Sequence, residues 1–463
     1  MKRAIVLLVA SGLASLTASA QDLRADIRTR IDLGVNEVLA ATGAPSASIA
    51  IVRDGGIVYA HAYGKAQIER GKAAAPEMRY SIGSISKQFT STAVLLLAEQ
   101  GKLSLDDPVS KYVSGTTRGG EITIRQILSM TSGYQDYWPQ DYVMPGMLQP
   151  TTPSQIVAGW ANKPLDFEPG TKWQYSNTNY VIAGMIVEKV AGKPLVDFLT
   201  ERIFRPLKML SVTNIDEAPL GGEDPSRYLR YATGPPRPAP KEGKGWLSAA
   251  GELAMTARDL ATWDISMIDQ TVLKPASYHA MQTDTLLKSG IPTGYGLGVS
   301  VGVNGGRRMI SHGGEVSGFT ASNQVFPDDR AAIVVLVNMD ATGAAGQIAG
   351  RVSSALFAGA ADRETEEATA QAKKIFDELQ HGLIDRALFS SNANAYFSAQ
   401  ALEDFASSLG PLGVPDSFTA NPKFLRGGMV GRTFRIRAGG KNLSLTTFTL
   451  PDGKLEQFQI AGQ

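Results

Sequence analysis

The stretch Ala331–Met339 reads AAIVVLVNM, an apolar run with no polar residue before Asn338. It is too short to cross a bilayer as a helix, and its β-branched composition suits a strand buried on both faces. A strand of that kind requires a covering layer on each side of its sheet. Far away in the chain, residues 47–64 (ASIAIVRDGGIVYAHAYG) contain two β-rich runs around Asp54-Gly55-Gly56, the pattern of a hairpin. Further strand-like runs, YGLGVSVGV, RMISHGGEVSG and ASNQVFP, lead up to the apolar run. Between these two groups, from about Gly101 to 290, the pattern is mainly helical and is broken by GPPRPAPKEGKG at Gly234–Gly245. Strands at both ends and helices between them imply an α/β (α+β) domain. Its antiparallel sheet is assembled from both termini, with flanking helices and an inserted helical region.

At about residue 360 the composition changes. DRETEEATAQAKKIFDELQHG is charged and helix-prone, and MVGRTFRIRAGG, NLSLTTFTL and KLEQFQI then alternate as antiparallel strands do. The expected organisation is therefore a leader over residues 1–20, a main domain over 21–360 and a small α+β domain over 361–463. At 463 residues the chain is long enough for two cores. The leader is read from Lys2 and Arg3, the apolar AIVLLVASGLASL and the small residues Ala18-Ser19-Ala20, the pattern of a cleaved secretory signal. The mature protein is accordingly expected in the periplasm or outside the cell, with no membrane anchor. A formal charge of +1 gives no electrostatic reason to expect nucleic acid as a partner. The absence of cysteine excludes disulfides and thiol nucleophiles. The four histidines show no HExxH-type spacing, so neither a metal nor another cofactor is expected. The expected partner is a small-molecule or peptide substrate, and the sequence carries no sign of an oligomeric state.

Three short segments could carry chemistry. In YSIGSISKQFT, Ser84 precedes Lys87 by one helical turn, so a helix starting there puts both on one face. A lysine among apolar neighbours holds its proton weakly and can serve as base toward the hydroxyl. The plainer reading is a capping serine beside a solvated lysine. In WQYSNTNY, Tyr175 beside an ammonium could become a phenolate and relay protons, and Asn177 could bind a substrate amide or orient the lysine. The alternative is a buried tyrosine with a capping Asn ahead of a helix starting near Tyr180. In SHGGEVSGF, His312-Gly313-Gly314 would lie on a sheet edge where glycines let a substrate backbone approach and expose N–H donors. Read alone, that segment is a turn between strands.

Taken together and in this order, the three segments resemble the serine β-lactamase and penicillin-binding superfamily. The likeness is to the branch with class C β-lactamases, D-alanyl-D-alanine carboxypeptidases, D-aminopeptidases and esterases, the peptidase S12-like group. ITIRQILSMTSGY (122–134), FEPGTKWQYSNTNYVIAGMIVEKVAGKP (167–194), SAAGELAMTARDLATW (248–263) and GYGLG (294–298) extend the resemblance over about residues 25–355. It implies a β-lactamase/transpeptidase-like fold with a cleft between sheet and helical region. It also implies an acyl-enzyme on Ser84, proton transfer shared by Lys87 and Tyr175, and an oxyanion hole from the backbone N–H groups of Ser84 and Glu315. Asn177, His312, Gly313 and Gly314 would bind substrate. The tail resembles, more distantly, a cystatin-like or nuclear-transport-factor-2-like fold with one helix on a sheet.

One departure bears on substrate. Penicillin-acting relatives carry Thr or Ser where this chain has Gly313, and that hydroxyl binds the substrate carboxylate. An ester or a D-amino-acid peptide is therefore the expected substrate, with a β-lactam or a D-alanyl-D-alanine peptide as the alternative. A silent cell-wall-peptide-binding module is the competing class, but binding alone requires none of Ser84, Lys87 and Tyr175. No G-x-S-x-G elbow of an α/β-hydrolase is present.

Overall fold

The computed structural model describes residues 23–357 and 363–462, so the expected leader at residues 1–20 lies outside the described residues. The chain divides into two compact units, Met1–Leu356 and Phe357–Gln463.

The first unit opens with helix α1 (Ala25–Thr42) and the hairpin β1 (Ser46–Arg53) and β2 (Gly56–Gln67), followed by a short β3 (Lys72–Ala73). The hairpin turns at Asp54 and Gly55, both at positive φ (54° and 79°), as a turn matched to strand twist requires. Helices α2 (Ser86–Glu99), α3 (Asn177–Ala191) and α4 (Ala257–Asp269) come from the middle of the unit. Strands β4 (Ser300–Asn304), β5 (Arg307–Val316), β6 (Phe319–Phe326) and β7 (Ala331–Val337) then lead to helix α5 (Ala344–Leu356).

All seven strands form one antiparallel sheet in the order β3-β2-β1-β7-β6-β5-β4. Its centre is the β1–β7 pairing, in register from Ala47 opposite Val337 to Val52 opposite Ala332. The expectation from AAIVVLVNM is met in detail, because every residue of β7 is buried. Alternate side chains explain why. Ala50, Val52, Ala332, Val334 and Leu336 join the main core with Phe89, Leu260 and Trp263. Their neighbours Ile49, Ile51, Ile333 and Val335 are fully buried on the opposite face, where α5 packs on β7 and α1 on α5.

The middle region differs from its mainly helical expectation. Tyr80–Ser81, Thr213–Asn214 and Leu253–Met255 form a second, three-stranded sheet. Strands of two or three residues are too short to leave an alternating pattern.

In the second unit, α6 (Arg363–Gln380) and α7 (Ala399–Leu409) precede strands β8 (Ser417–Ala420), β9 (Phe424–Arg426), β10 (Met429–Ala438), β11 (Lys441–Thr449) and β12 (Leu455–Gly462). The sheet order is β8-β10-β11-β12, with β9 also paired to β10. Its core joins Ile375, Phe376 and Leu379 of α6 to Phe434, Ile436, Leu445 and Phe458, while Leu402 and Phe405 of α7 pack against it. More than the one expected helix thus covers this sheet.

Candidate active site

Ser84 sits in a single 3-10 turn, Gly83–Ile85, that feeds directly into α2. The turn is pressed against strand β5. A Cβ on Gly314 would stand 1.9 Å from the Ile82 carbonyl oxygen, and one on Gly83, at φ +50°, would stand 2.7 Å from the Glu315 nitrogen. Only glycine permits this approach at either point, and the approach sets the turn that carries Ser84 against the Glu315 backbone. Strand β4 pairs with β5 only as far as Ser311, so the β5 edge from His312 onward has no strand partner on that side.

Lys87 is fully buried one turn after Ser84, as the shared helical face predicts. Its Nζ lies 2.9 Å from Ser84 Oγ, 2.8 Å from Asn177 Oδ1 and 2.9 Å from the Ala250 carbonyl oxygen. Burial pulls the ammonium down to about 7, against the pull of the Asp136 charge, which favours the protonated form. Asn177 Oδ1 and the Ala250 carbonyl can only accept. A neutral Lys87 therefore gives them its two N–H groups and points its lone pair at the Ser84 hydroxyl. The solvated-lysine reading of this segment is excluded by burial alone.

Tyr175 lies in the loop ahead of α3, with its ring 4.9 Å from Lys87 Nζ. Burial raises its pKa well above the ordinary tyrosine value, and the nearby Ser84 hydroxyl offsets only part of this. Tyr175 is a phenol at neutral pH, not the phenolate that proximity to an ammonium had allowed. Helix α3 starts at Asn177, three residues earlier than expected, which places Asn177 in its first turn.

His312 is placed differently from the sequence expectation. It is 7% exposed, lies behind Tyr175 with ring centroids 6.3 Å apart, and does not line the cleft. Nδ1 faces the Gly313 carbonyl, which only accepts, so Nδ1 carries the proton and Nε2 takes the Tyr295 hydroxyl at 2.9 Å. Burial, then the nearby Lys87 charge, pull the ring down to about 4, so it is neutral at pH 7. Both ring nitrogens are occupied by protein partners. The alternation of β5 accounts for this: His312 and Gly314 point inward and are buried, while Gly313 and Glu315 point outward and are exposed. Gly314 is held by its contact with Ile82, whereas a Cβ on Gly313 would meet nothing closer than the Ala321 oxygen at 3.8 Å.

Two functional positions escaped sequence reasoning. Asp136 accepts from the Asn177 backbone at 2.9 Å and from Asn177 Nδ2 at 3.2 Å. Glu252 accepts from the Ala249 nitrogen at 2.9 Å and so braces the turn that offers the Ala250 carbonyl to Lys87. Burial pushes the Glu252 carboxyl up to about 8. The motif segments quoted above stop just before Asp136, and Glu252 lies inside SAAGE without any spacing that marks it.

Ser84, Tyr175 and Asn177 open into a cleft of about 320 Å³. Tyr137, Trp138, Tyr142, Leu247 and Val316 contribute its apolar lining. Four carboxylates, Asp136, Asp141, Glu315 and Asp340, also line it, and no Lys or Arg does. Among the described residues, no group of three or more side chains could hold a metal ion, and no helix is long and apolar enough to cross a membrane.

Residues 31–356 match the Beta-lactamase family. A D-aminopeptidase of Brucella canis is 29% identical over 301 residues, which cover 64% of this chain and 57% of the relative, so this chain spans little more than half of that protein. Among solved structures, a D-stereospecific amidohydrolase from Streptomyces sp. is 28% identical with a TM-score of 0.62, covering 72% of this chain and 98% of its own. A penicillin-binding protein homologue from Pyrococcus abyssi shares the fold at 21% identity and a TM-score of 0.63, covering 94% of this chain and 99% of its own.

Proposed function

Because this chain belongs to the Beta-lactamase family, within the serine β-lactamase and penicillin-binding superfamily, we propose that it is a serine hydrolase that cleaves an amide or ester through an acyl-enzyme on Ser84. The observation that carries this reading is Lys87, fully buried and 2.9 Å from Ser84 Oγ. Neutral Lys87 takes the hydroxyl proton while Oγ attacks the carbonyl carbon. The oxyanion is held by the N–H groups of Ser84 and Glu315, a role supported by both residues lining the cleft. The proton passes back from Lys87 through the Tyr175 phenol to the leaving group, and water then releases the acyl chain with the same groups acting in reverse.

The substrate class we propose is a D-amino-acid amide, ester or short peptide with a free amine. The names of the Brucella and Streptomyces relatives support it. So does the charge of the cleft, where Asp136 is taken up by Asn177 and Trp138 but Asp141, Glu315 and Asp340 remain for an ammonium, and no Lys or Arg meets a carboxylate. Gly313 lacks the hydroxyl that would receive a carboxylate, and His312 is neutral. Export to the periplasm or beyond, resting on the pattern of residues 1–20, completes the proposal.

The test is to label the protein with a fluorophosphonate and locate the adduct by peptide mass spectrometry. Modification of Ser84, absent in Ser84→Ala, is the expected result. A folded protein that takes no label at Ser84 would favour the binding-module reading.

A further inference from the structure

The loop residue Asp136 stands at the N-terminus of α3, and three donors converge on its carboxylate. Oδ1 accepts from the backbone nitrogens of Asn177 (2.9 Å) and Trp138 (3.2 Å), and Oδ2 accepts from Asn177 Nδ2 (3.2 Å). The Asn177 side chain is thus gripped at both ends, because its Oδ1 accepts from Lys87 Nζ at 2.8 Å. Only one orientation of the amide satisfies both partners. Turned over, its NH2 would face the ammonium and its oxygen the carboxylate, which sets donor against donor and acceptor against acceptor.

We propose that Asp136 is a positioning residue that locks the Asn177 amide with its oxygen toward Lys87 and, through its charge, sets the pH at which Lys87 becomes the base for Ser84. The proposal rests on the serine-hydrolase reading above.

The surroundings of Lys87 single out this charge. Ser84 and the Ala250 carbonyl are neutral. Tyr175 and Tyr180 present their ring faces at 4.9 and 5.5 Å, and burial keeps both as phenols. His312, on β5, is neutral at pH 7. Glu252, behind the turn that carries Ala250, has its carboxyl pushed up to about 8 and is largely protonated at pH 7. Asp136 is the carboxylate whose charge acts on Lys87 against the burial. Burial also raises Asp136 itself, and its N–H donors and Lys87 draw it back toward the ionised form. The sign follows: removing the Asp136 charge destabilises the ammonium, so Lys87 loses its proton at lower pH. Removing the carboxylate also frees the Asn177 amide to turn, which lowers the rate even where Lys87 is neutral.

The test uses p-nitrophenyl acetate, an ester with no amine, and follows kcat/KM against pH for the parent, Asp136→Asn and Asp136→Glu, with folding checked by circular dichroism. The parent is expected to lose activity as pH falls through about 7. Asp136→Asn should move that limb down by about one pH unit, the scale of an adjacent-charge effect, and lower the plateau several-fold. Asp136→Glu retains the charge and should keep the limb near its parental position. If Asp136→Glu folds and Asp136→Asn does not, the same limb is compared between parent and Asp136→Ala. A limb that stays in place while the rate drops equally at every pH would reduce Asp136 to a structural cap and overturn the proposal. A loss confined to KM for a D-amino-acid p-nitroanilide, with the acetate profile unchanged, would make Asp136 a substrate contact and also overturn it. A parent no faster than its Ser84→Ala variant would overturn the hydrolase reading and this inference with it.

Discussion

The two walls of the cleft are built on opposite principles. On the helical wall, Lys87 is buried at the start of α2 among three hydrogen-bond partners, and Asn177 and Asp136 continue the chain of hydrogen bonds. On the strand wall, β5 turns a neutral, doubly bonded His312 inward, leaves Gly313 exposed and offers Glu315 to the cleft. Burial on the first wall destabilises the charge of Lys87. The second wall carries neither a positive charge at His312 nor a hydroxyl at Gly313 to receive a carboxylate. On the proposed function, activation of the nucleophile draws on the first wall and the lack of a carboxylate receptor lies in the second, so one can change while the other is kept.

Substitutions can break this separation in order of expected effect. Lys87→Ala should lower kcat/KM by about 10²–10⁴, the usual contribution of a general base, for amine-bearing and neutral esters alike. A loss limited to one substrate would show that the walls are not independent. Gly314→Ala comes next. Its new methyl group would collide with the Ile82 carbonyl at 1.9 Å, so it should destabilise the unit by about 1–3 kcal/mol, as overpacking does, and displace the Ser84 turn. Chemical denaturation and the rate of Ser84 labelling measure both effects. The smallest change in stability belongs to the neighbouring Gly313→Thr. The site is exposed and its nearest atom lies 3.8 Å away, so stability should change by no more than about 0.5 kcal/mol. Its hydroxyl should improve acylation by a carboxylate-bearing cephalosporin relative to the parent, with the fluorophosphonate rate unchanged. A fall in that rate would mean that the strand wall also governs activation.

Much of this was legible because it follows from periodicity. The apolar run of β7 and the Asp-Gly hairpin announced the sheet, and a three-residue spacing put Ser84 and Lys87 on one helix face. What stayed hidden depends on contacts distant in sequence. Asp136 meets Asn177 across 41 residues, and nothing in YQDYWPQ marks a carboxylate that will cap a later helix. Tyr295 was visible only as part of GYGLG, and its hold on His312 requires the β4–β5 pairing to bring them together. The inward direction of His312 could have been read from strand alternation anchored on the buried Ile310 and Val316. His312 was instead read only as a member of its motif.

The central claim is that an activated Ser84 faces a cleft made for a cation. Comparing kcat/KM for D-alanine p-nitroanilide with that for its N-acetyl derivative tests it most directly, because the two differ in little but the charge of the amine. The account predicts a preference of at least about tenfold for the free amine, equivalent to about 1.4 kcal/mol, diminishing as salt rises. Equal or faster hydrolysis of the acetylated compound would contradict it.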